Sequence, residues 1–459
     1  MAESKPSKKT DTSRRDFIKT SSMLAAGAAV VGGNLSIARA AHSYGSDTIK
    51  IGLVGCGGRG TGAATQALNT MKKTEISPNG EIKLVAMGDA FADRLQASYR
   101  AIKGQHGNHV DVPKDRQFVG FDAYKNVIES DIDLVILATS PGFRPLHFEH
   151  AVNTGRHVFM EKPVGTDAPG VRRVLAANEE AKKKSLMVAV GLQRHHEKRY
   201  LETVQRIWDG AIGDLVATRV YWNGGGVWVR GRQEGQTELE YQMRNWYYFN
   251  WLCGDHITEQ HIHNLDVSNW LVQGFPVECN GMGGREVRKG IDHGEIYDHH
   301  SVEYTYANGV KMFSQCRHIR NCWNNVSEHA HGSKGYADLS GKIYNSSGEE
   351  VWAYGRGGGG GHQEEHYDLF AALRKGEIYN EGEYGAKSTM TSILGRLATY
   401  SGKVVKWDDA INRGLALADF DSFQSMEDKA PIQPDDKGGY AVAVPGVTKV
   451  LEPKKEAKA

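Results

Sequence analysis

A short apolar run that ends in a cluster of glycines constrains this chain more than any other feature. The run Ile49–Val54 continues into Gly55-Cys56-Gly57-Gly58-Arg59-Gly60, which fits the pattern G-x-G-x-x-G. In that pattern the first glycine allows a tight turn, the second lets the backbone approach a phosphate, and the third lets the next helix pack on its strand. The segment therefore predicts a strand, turn and helix that hold a dinucleotide pyrophosphate, with an ordinary strand-to-helix turn as the alternative.

A second apolar run indicates which dinucleotide binds. Residues 82–87 are mostly apolar and end at Gly88-Asp89, where an acidic side chain can accept hydrogen bonds from the adenosine ribose. Asp89 therefore favours NAD over NADP. Arg59 and Arg94 keep NADP possible.

The N-terminus has the features of an export signal. Arg14-Arg15 lies in a twin-arginine pattern, residues 21–33 form a modestly apolar stretch, and Ala38-Arg39-Ala40 is an A-x-A cleavage site. A bilayer span needs about 20 apolar residues, so a membrane anchor is the weaker alternative. Residues 1–40 resemble a Tat signal, and the Tat pathway carries folded proteins. We therefore expect a periplasmic protein, without stable membrane insertion, that keeps a cofactor bound before export.

Composition excludes several classes of protein. The formal net charge is only +1, which argues against nucleic acid as a partner and favours a neutral small-molecule substrate. The five cysteines form no C-x-x-C pair, so no disulfide framework is expected, although a Cys316–Cys322 pair after export stays open. About 420 mature residues exceed one core of ordinary size and suggest two domains.

The pattern of apolar and polar residues along the chain changes near residue 191. Before it, strand-like runs alternate with helical segments, which predicts an α/β Rossmann domain over residues 48–191. After it, alternating segments such as 217–222 and 301–309 predict an open, mainly antiparallel sheet in an α+β domain over 192–435. A single helix is expected near 256–272 and another near 364–374, after a glycine run at 357–361 that is either a lid or a connector. Residues 436–459 are expected to form a loosely held tail.

Several of these motifs together resemble one family. The glycine pattern, Asp89, the segment Ala138-Thr139-Ser140-Pro141 and above all Glu161-Lys162-Pro163 after the run 157–160 are similar to the Gfo/Idh/MocA oxidoreductases. The resemblance covers residues 48–409 and implies that substrate is held between a Rossmann domain and an open sheet. It implies cofactor contacts for Thr139, Pro141, His147, Glu161 and Lys162. It also implies a homo-oligomer that associates through the sheet.

Lys162 is the first predicted catalytic residue. An alcohol carbon releases a hydride only if its hydroxyl proton is removed, so the site needs a base and a cation near the developing alkoxide. Lys162 suits the cation. A surface lysine in a proline turn is the alternative for an isolated tripeptide.

The second predicted group is Glu259, His263 and Asp266. On one helix these side chains share a face, at positions i, i+4 and i+7. The family carries an acid, a histidine and an aspartate at this spacing, with aspartate more common at the first position, so the role of Glu259 is open. His263 is the predicted proton acceptor because imidazole titrates near neutral pH. Glu259 or Asp266 would fix its tautomer.

A metal site is the competing interpretation of a histidine-rich stretch. Zinc needs three or four convergent ligands, whereas His261 and His263 diverge on a helix. No metal is predicted. The six histidines are His256, His261, His263, His293, His299 and His300.

Aromatic residues around Gly224-Gly225-Gly226 suggest the substrate. Flat rings beside hydrogen-bonding groups suit sugars, although core and subunit packing use the same residues. The rings are Trp222, Trp228, Trp246, Tyr247, Tyr248 and Trp251, and the predicted substrate contacts are Arg244, Trp246, Asp266 and His300.

These features predict an exported NAD(P)-dependent oxidoreductase. Its substrate would be a secondary hydroxyl of a sugar, glycoside or cyclitol, and its cofactor would be tightly held. One alternative is a redox-neutral enzyme that cleaves glycosides through a keto-sugar. Another is a sugar-binding protein that uses the fold without turnover.

Overall fold

A computed structural model describes residues 48–73, 75–76, 80–355, 357 and 360–454 of the chain. The predicted export signal, residues 1–40, lies outside these residues. None of the helices in the described part combines the length and the apolarity that crossing a bilayer requires.

The first domain contains a parallel sheet of six strands in the order β3-β2-β1-β4-β5-β6. Its central strands are rich in Val, Ile and Leu and are almost fully buried, as expected of a sheet covered on both faces. This confirms the predicted Rossmann domain. The strands are β1 (Ile49–Val54), β2 (Ile82–Asp89), β3 (Gln117–Val119), β4 (Leu134–Leu137), β5 (His157–Met160) and β6 (Val188–Val190).

Five helices connect these strands and cover the sheet. They are α1 (Gly58–Asn69), α2 (Ala92–His106), α3 (Ala123–Glu129), α4 (Arg144–Asn153) and α5 (Ala168–Lys183). Asp167 caps α5, because its side chain accepts a hydrogen bond from Gly170 N at 2.8 Å.

The second domain contains a sheet of nine strands in the order β14-β13-β12-β11-β7-β10-β9-β8-β15. Only β7 and β10 pair in parallel, so the predicted mainly antiparallel sheet is confirmed. Buried and exposed residues alternate along β9 and β10, which places one face against helices and leaves the other open. The strands are β7 (Leu215–Gly224), β8 (Pro276–Gly284), β9 (His299–Tyr306), β10 (Lys311–His318), β11 (Asn325–Gly332), β12 (Gly335–Asp338), β13 (Lys342–Asn345), β14 (Glu350–Ala353) and β15 (Val405–Lys406).

The helices of the second domain join it to the first. The long helix α12 is buried along almost its whole length, and it packs between β8, β9 and α5. Helix α11 begins at Gly361 and packs on α1. The helices are α6 (Lys198–Trp208), α7 (Glu238–Arg244), α8 (Asn250–Cys253), α9 (His256–Glu259), α10 (Ile262–Val272), α11 (Gly361–Lys375), α12 (Gly382–Ser401) and α13 (Trp407–Arg413).

Two local predictions are wrong. The single helix expected near 256–272 is broken after Glu259, and α10 starts a new helix at Ile262. Residues 436–454 were expected to be loosely held, but they contact the second domain. Tyr440 is buried, and its hydroxyl donates to Glu238 at 2.7 Å. The five cysteines are free thiols, and Cys316 is buried on β10 while Cys322 is exposed.

Candidate active site

The glycine-rich turn has the geometry that a phosphate cradle needs. Gly55 has a φ of +94°, and a Cβ there would lie 2.5 Å from the backbone of Ala138 and Thr139. A Cβ on Gly60 would overlap the carbonyl oxygen of Gly55, so α1 can approach its strand only with glycine at this position. Gly57 has no heavy atom within 4 Å of the position of a Cβ, so the space above it is open. The turn therefore fits a pyrophosphate at the N-terminus of α1.

Asp89 lies at the end of β2, beside this turn. One carboxylate oxygen accepts a hydrogen bond from Cys56 N at 2.6 Å, and the other accepts one from Phe91 N at 2.9 Å. Burial raises the pKa of the carboxyl although both amides and Arg94 act in the other direction. Asp89 is thus held against the glycine turn.

A cavity opens over the turn and is lined by both domains. Among the predicted cofactor residues, Pro141, Glu161, Lys162 and Gly60 do not line it. The predicted residues that do line it are Gly55, Gly57, Gly58, Arg59, Asp89, Thr139 and His147. Burial and the charge of Arg144 lower the pKa of His147 to about 3, so this imidazole is neutral beside the cofactor site.

Arg244 and Trp246, predicted to contact substrate, instead line this dinucleotide cavity. The guanidinium of Arg244 lies 4.0 Å from the ring centre of Phe91 and forms an ion pair with Asp93 at 3.2 Å. Phe91 and Asp93 follow β2, where the adenosine half of a dinucleotide binds in this fold. Both residues thus lie at the predicted adenosine end of the cavity, and their contact with substrate stays a prediction.

Lys162 meets Glu259 across the domain boundary. Its Nζ lies 3.1 Å from Glu259 Oε1 and also donates to the backbone oxygen of Glu259. Both side chains are only 13% exposed. The preceding residue, Glu161, is buried and pairs with Arg59 Nε at 2.6 Å. Lys162 thus lies at the boundary of the two domains, next to the residue that binds the glycine turn, and its role as the cation stays a prediction.

His263 lies on α10, near Lys162. Burial, followed by the charges of Lys162 and Arg194, lowers its pKa well below the usual value. Its Nδ1 is buried with no hydrogen-bond partner among the described residues. The ring of Trp222 stacks on it with centroids 5.9 Å apart. His263 is therefore a buried, neutral imidazole close to Lys162 and beside one aromatic face.

The predicted tautomer partners of His263 are wrong. Glu259 binds Lys162 instead, because the helix break removes it from the face that carries His263. Asp266 is buried and binds His195 Nε2 at 2.7 Å and Ser388 Oγ at 2.7 Å. Asp266 therefore holds other protein groups, and its predicted direct contact with substrate is not supported.

His300, also predicted to contact substrate, is fully enclosed. It pairs with Asp255 at 3.3 Å and with Thr399 at 2.9 Å. Asp255, His256 and His300 could in principle hold a metal ion. However, the Asp255 carboxylate already accepts hydrogen bonds from donors on His256, Tyr297 and Tyr400. These contacts identify a hydrogen-bonded buried carboxylate.

Sequence reasoning missed several residues of the site. Phe91, Tyr124 and Phe143 line the cofactor cavity. His362, at the start of α11, is half-buried and interacts electrostatically with Lys162. Its position directly after the glycine run 357–361 was the one local signal available.

The arrangement can bind a dinucleotide and move a proton. The open space at Gly57 and the cavity above it fit a nicotinamide dinucleotide. Residues 49–191 match the family model "Oxidoreductase family, NAD-binding Rossmann fold" of the Gfo/Idh/MocA group. Residues 49–191 are thus similar to the NAD-binding domain of that family. The Gfo/Idh/MocA match confirms the expected cofactor, NAD, and identifies an oxidoreductase.

Characterised proteins similar to the chain include two enzymes from bacteria. Inositol 2-dehydrogenase of Rhizobium meliloti (strain 1021) is 26% identical over 289 residues, which are 63% of this chain and 74% of that protein. Inositol 2-dehydrogenase of Salmonella paratyphi B is 27% identical over 228 residues, which are 49% of this chain and 55% of that protein. The chain thus spans little more than half the length of this second relative.

Solved structures share the fold over most of the chain. Levoglucosan dehydrogenase in complex with NADH and levoglucosan has a TM-score of 0.60 and 15% identity, covering 78% of this chain and 99% of that one. Aldose-aldose oxidoreductase from Caulobacter crescentus, complexed with glycerol, has a TM-score of 0.59 and 17% identity, covering 78% and 99%. At these identities the likeness supports the two-domain fold.

Proposed function

We propose that this protein oxidises a secondary hydroxyl of a sugar, glycoside or cyclitol and that its NAD remains bound. The observation that carries the proposal is the cluster of Lys162, Glu259 and His263 at the domain boundary, where the residue before Lys162 binds the glycine turn. An ammonium and a neutral imidazole are the two groups that alcohol oxidation requires. The chain is similar to inositol 2-dehydrogenases and to levoglucosan dehydrogenase, and this similarity supports a polyol or sugar substrate.

In this mechanism His263 and Lys162 have different roles. His263 Nε2 accepts the hydroxyl proton as the O–H bond breaks, which leaves the electron pair on oxygen to form the carbonyl. Lys162 Nζ stabilises the negative charge that develops on that oxygen. Bound NAD supplies the acceptor for the hydride that leaves the carbon. Trp222 offers a flat ring for the C–H face of the substrate.

The position of Glu259 accounts for the placement of the cation. Because Glu259 belongs to the second domain and Lys162 to the first, their ion pair fixes the ammonium at the domain boundary. Among the described residues His263 has no carboxylate partner, and burial followed by the charge of Lys162 lowers its pKa, so the imidazole is neutral and can accept a proton. These contacts argue against the alternative of a sugar-binding protein without turnover.

The test uses the mature chain purified with its nucleotide. An absorbance scan and acid extraction identify the nucleotide, and a panel of sugars and cyclitols is screened for its reduction. Variants Lys162→Ala and His263→Ala should lose at least a hundredfold in rate, whereas His299→Ala, an exposed histidine bound to Asp298, should keep it. Full activity in folded, nucleotide-bound Lys162→Ala and His263→Ala would refute the proposal.

A second candidate is redox-neutral cleavage of glycosides through a keto-sugar. The ion pair of Arg244 with Asp93 supports it, because a segment of the second domain covers the adenosine end of the cavity. A cofactor that does not exchange must be restored in place. Release of two products without net reduction of the nucleotide would select this reaction, and a lasting spectral change without cleavage would select the dehydrogenase.

We also propose export by the Tat pathway and association of copies through the open sheet. The twin-arginine pattern supports export, and replacing Arg14 and Arg15 by lysine should retain the protein in the cytoplasm. Exposed Met282, Phe313 and Val326 on the sheet support association. Light scattering of the purified protein would show a monomer if this second proposal is wrong.

A further inference from the structure

His263 lacks the ring partner that commonly orients a proton-accepting histidine. Its Nδ1 has no hydrogen-bond partner among the described residues. The two acids expected to hold it, Glu259 and Asp266, bind Lys162 and His195 instead. Because the hydrogen bond at one ring nitrogen sets the state of the other, an active-site imidazole without such a bond needs another support. Contacts of its neighbours along the chain supply one.

The residues on both sides of His263 are bound to one row of the nine-stranded sheet. His261 Nε2 lies 2.8 Å from Ser314 Oγ of β10. The side-chain amide of Asn264 donates to Glu328 Oε1 of β11. Ser314 and Glu328 are both buried and lie opposite the same residue of the intervening strand β7. These two contacts therefore hold the start of α10 against the sheet.

Glu328 is the charged member of this row. It is fully buried, and its carboxylate accepts hydrogen bonds from Arg194, from Asn264 and from the hydroxyl of Tyr200 at 2.9 Å. Burial raises the pKa of this carboxyl, although all three donors act in the opposite direction. A buried carboxylate is costly unless a charge and hydrogen bonds compensate it. Arg194, which is only 10% exposed, supplies that charge.

Arg194 connects this arrangement to the nucleotide-binding domain. It lies between β6 and α6, in the segment that leads from the parallel sheet into the second domain. It also acts on the imidazole, because the pKa of His263 is lowered by burial and then by Lys162, Arg194, His362 and His261. These groups come from the turn after β5, the segment after β6, α11 and the residue before α10. Arg194 therefore interacts with both Glu328 and the proton acceptor.

We propose that Arg194 and Glu328 are positioning residues for His263. Glu328 holds the start of α10 through Asn264, and Arg194 compensates this buried carboxylate from the segment that follows the parallel sheet. The inference rests on the proposed function, in which His263 accepts the hydroxyl proton. It also explains how the imidazole keeps its place without a carboxylate partner of its own, since its neighbours along the chain are bound to the sheet.

Two variants break the same ion pair but change the charge near His263 in opposite directions. Arg194→Met removes a positive charge, so the pKa of His263 should rise. Glu328→Gln leaves Arg194 without its counter-charge, so the pKa of His263 should not rise. Two measurements on the full mature chain with its nucleotide follow this pKa. They are the NMR titration of the ¹⁵N-labelled ring, assigned by its absence in His263→Gln, and the pH at which kcat/KM falls on the acid side.

The positioning role is tested separately with Asn264→Ala. This change removes the contact to Glu328 and keeps the ion pair with Arg194, so kcat should fall by about tenfold or more, because a small displacement of a reacting group is costly. Ser268→Ala is the matched control. Its hydroxyl lies 2.6 Å from Thr218 Oγ1, so it removes a neutral contact between the same helix and the same sheet. It should lower stability in urea and leave kcat and the pH profile unchanged.

A double variant keeps the test valid if a single variant does not fold. Arg194→Met/Glu328→Gln buries no unpaired charge, and in it His263 should still titrate at higher pH than in the wild type. If neither Arg194→Met nor the double variant moved the titration of His263, or if Asn264→Ala behaved like Ser268→Ala, these residues would only stabilise the fold and the inference would be overturned. Full activity of folded, nucleotide-bound His263→Ala would instead refute the proposed function.

Discussion

Removal of the Lys162 ammonium tests the chemistry most directly, provided that its structural effect is measured separately. Lys162→Ala deletes the only cation placed against the reacting oxygen in the proposed mechanism. Loss of one preorganised electrostatic contact in an active site costs about 10²–10³ in kcat, or roughly 3–4 kcal/mol. We expect a fall of that size in kcat, with KM changed by only a few fold, because the contact strengthens as negative charge develops.

The same change also affects stability, and its size follows from the ion pair. Lys162 and Glu259 are 3.1 Å apart and both 13% exposed, so Lys162→Ala leaves a nearly buried carboxylate without its partner. Breaking such a pair costs about 3 kcal/mol of unfolding free energy, the low end for a buried pair, because some solvent reaches it. The double variant Lys162→Ala/Glu259→Gln removes the orphaned charge and should recover most of this loss.

The assay combines nicotinamide absorbance with urea unfolding on the wild type, both single variants and the double variant. Stability should return in the double variant while kcat stays low. If kcat returned together with stability, Lys162 would act only by holding the domains together, and its assignment as the cation would be refuted.

Three further outcomes follow from the same geometry. Because burial and Lys162 lower the pKa of His263, the kcat/KM of alcohol oxidation should persist below pH 6.5 and fall only at lower pH; a pH profile with a midpoint near 6.5 would contradict this. Gly60→Ala should destabilise the fold and abolish NAD binding, whereas Gly58→Ala, with open space around its Cβ, should remain folded; equal thermal stability of both variants would contradict the packing argument. The free energy of unfolding should decrease by several kcal/mol between pH 7 and pH 5, because the unfolded chain binds protons that the buried neutral histidines of the folded chain do not. Urea unfolding at both pH values measures this change, and equal free energies of unfolding would refute the prediction. The buried histidines with lowered pKa are His147 and His261, at about 3, and His157 and His256, at about 4.

The pKa of one buried histidine, His196, is raised rather than lowered, so its effect on the pH dependence of stability is opposite. Burial alone would lower the pKa of His196, but hydrogen bonds from its ring to Asp368 and Glu381 raise it to about 10. Its contribution to stability is therefore complete below pH 6.5 and is lost as the pH rises toward 10. It cannot mask the loss expected between pH 7 and pH 5.

The sequence predicted the fold well because its signals are local. Buried parallel strands are continuous apolar runs, as in 134–137, and half-exposed antiparallel strands alternate, as in 299–306. The helix break before Ile262 could not be predicted, because the residues on both sides fit one helical repeat. The start of α9 was equally hidden, because Asp255 caps that helix at a φ of +67° and its side chain also accepts a hydrogen bond from Tyr297 N, which is distant in sequence.

The site was predicted only where a motif defines its own surroundings. Gly55 and Lys162 are fixed by the turns that contain them. Arg244 and Trp246 were placed with the substrate because an arginine among aromatic rings suits any polar cavity. The actual position of Arg244 depends on a contact with Asp93, which lies 151 residues earlier in the chain. No local pattern carries that information.

The two residues that precede Pro163 explain how the halves of the site are aligned. Glu161 binds Arg59 of the glycine-rich turn, and Lys162 binds Glu259 of the second domain. Successive side chains after a strand point in opposite directions, so one short turn contacts both walls of the cleft. The carboxylates nearest the reacting centre are thereby used by Arg59 and Lys162. Among the described residues His263 has no anionic partner, and its pKa is lowered first by burial and then by the charge of Lys162, which this alignment positions.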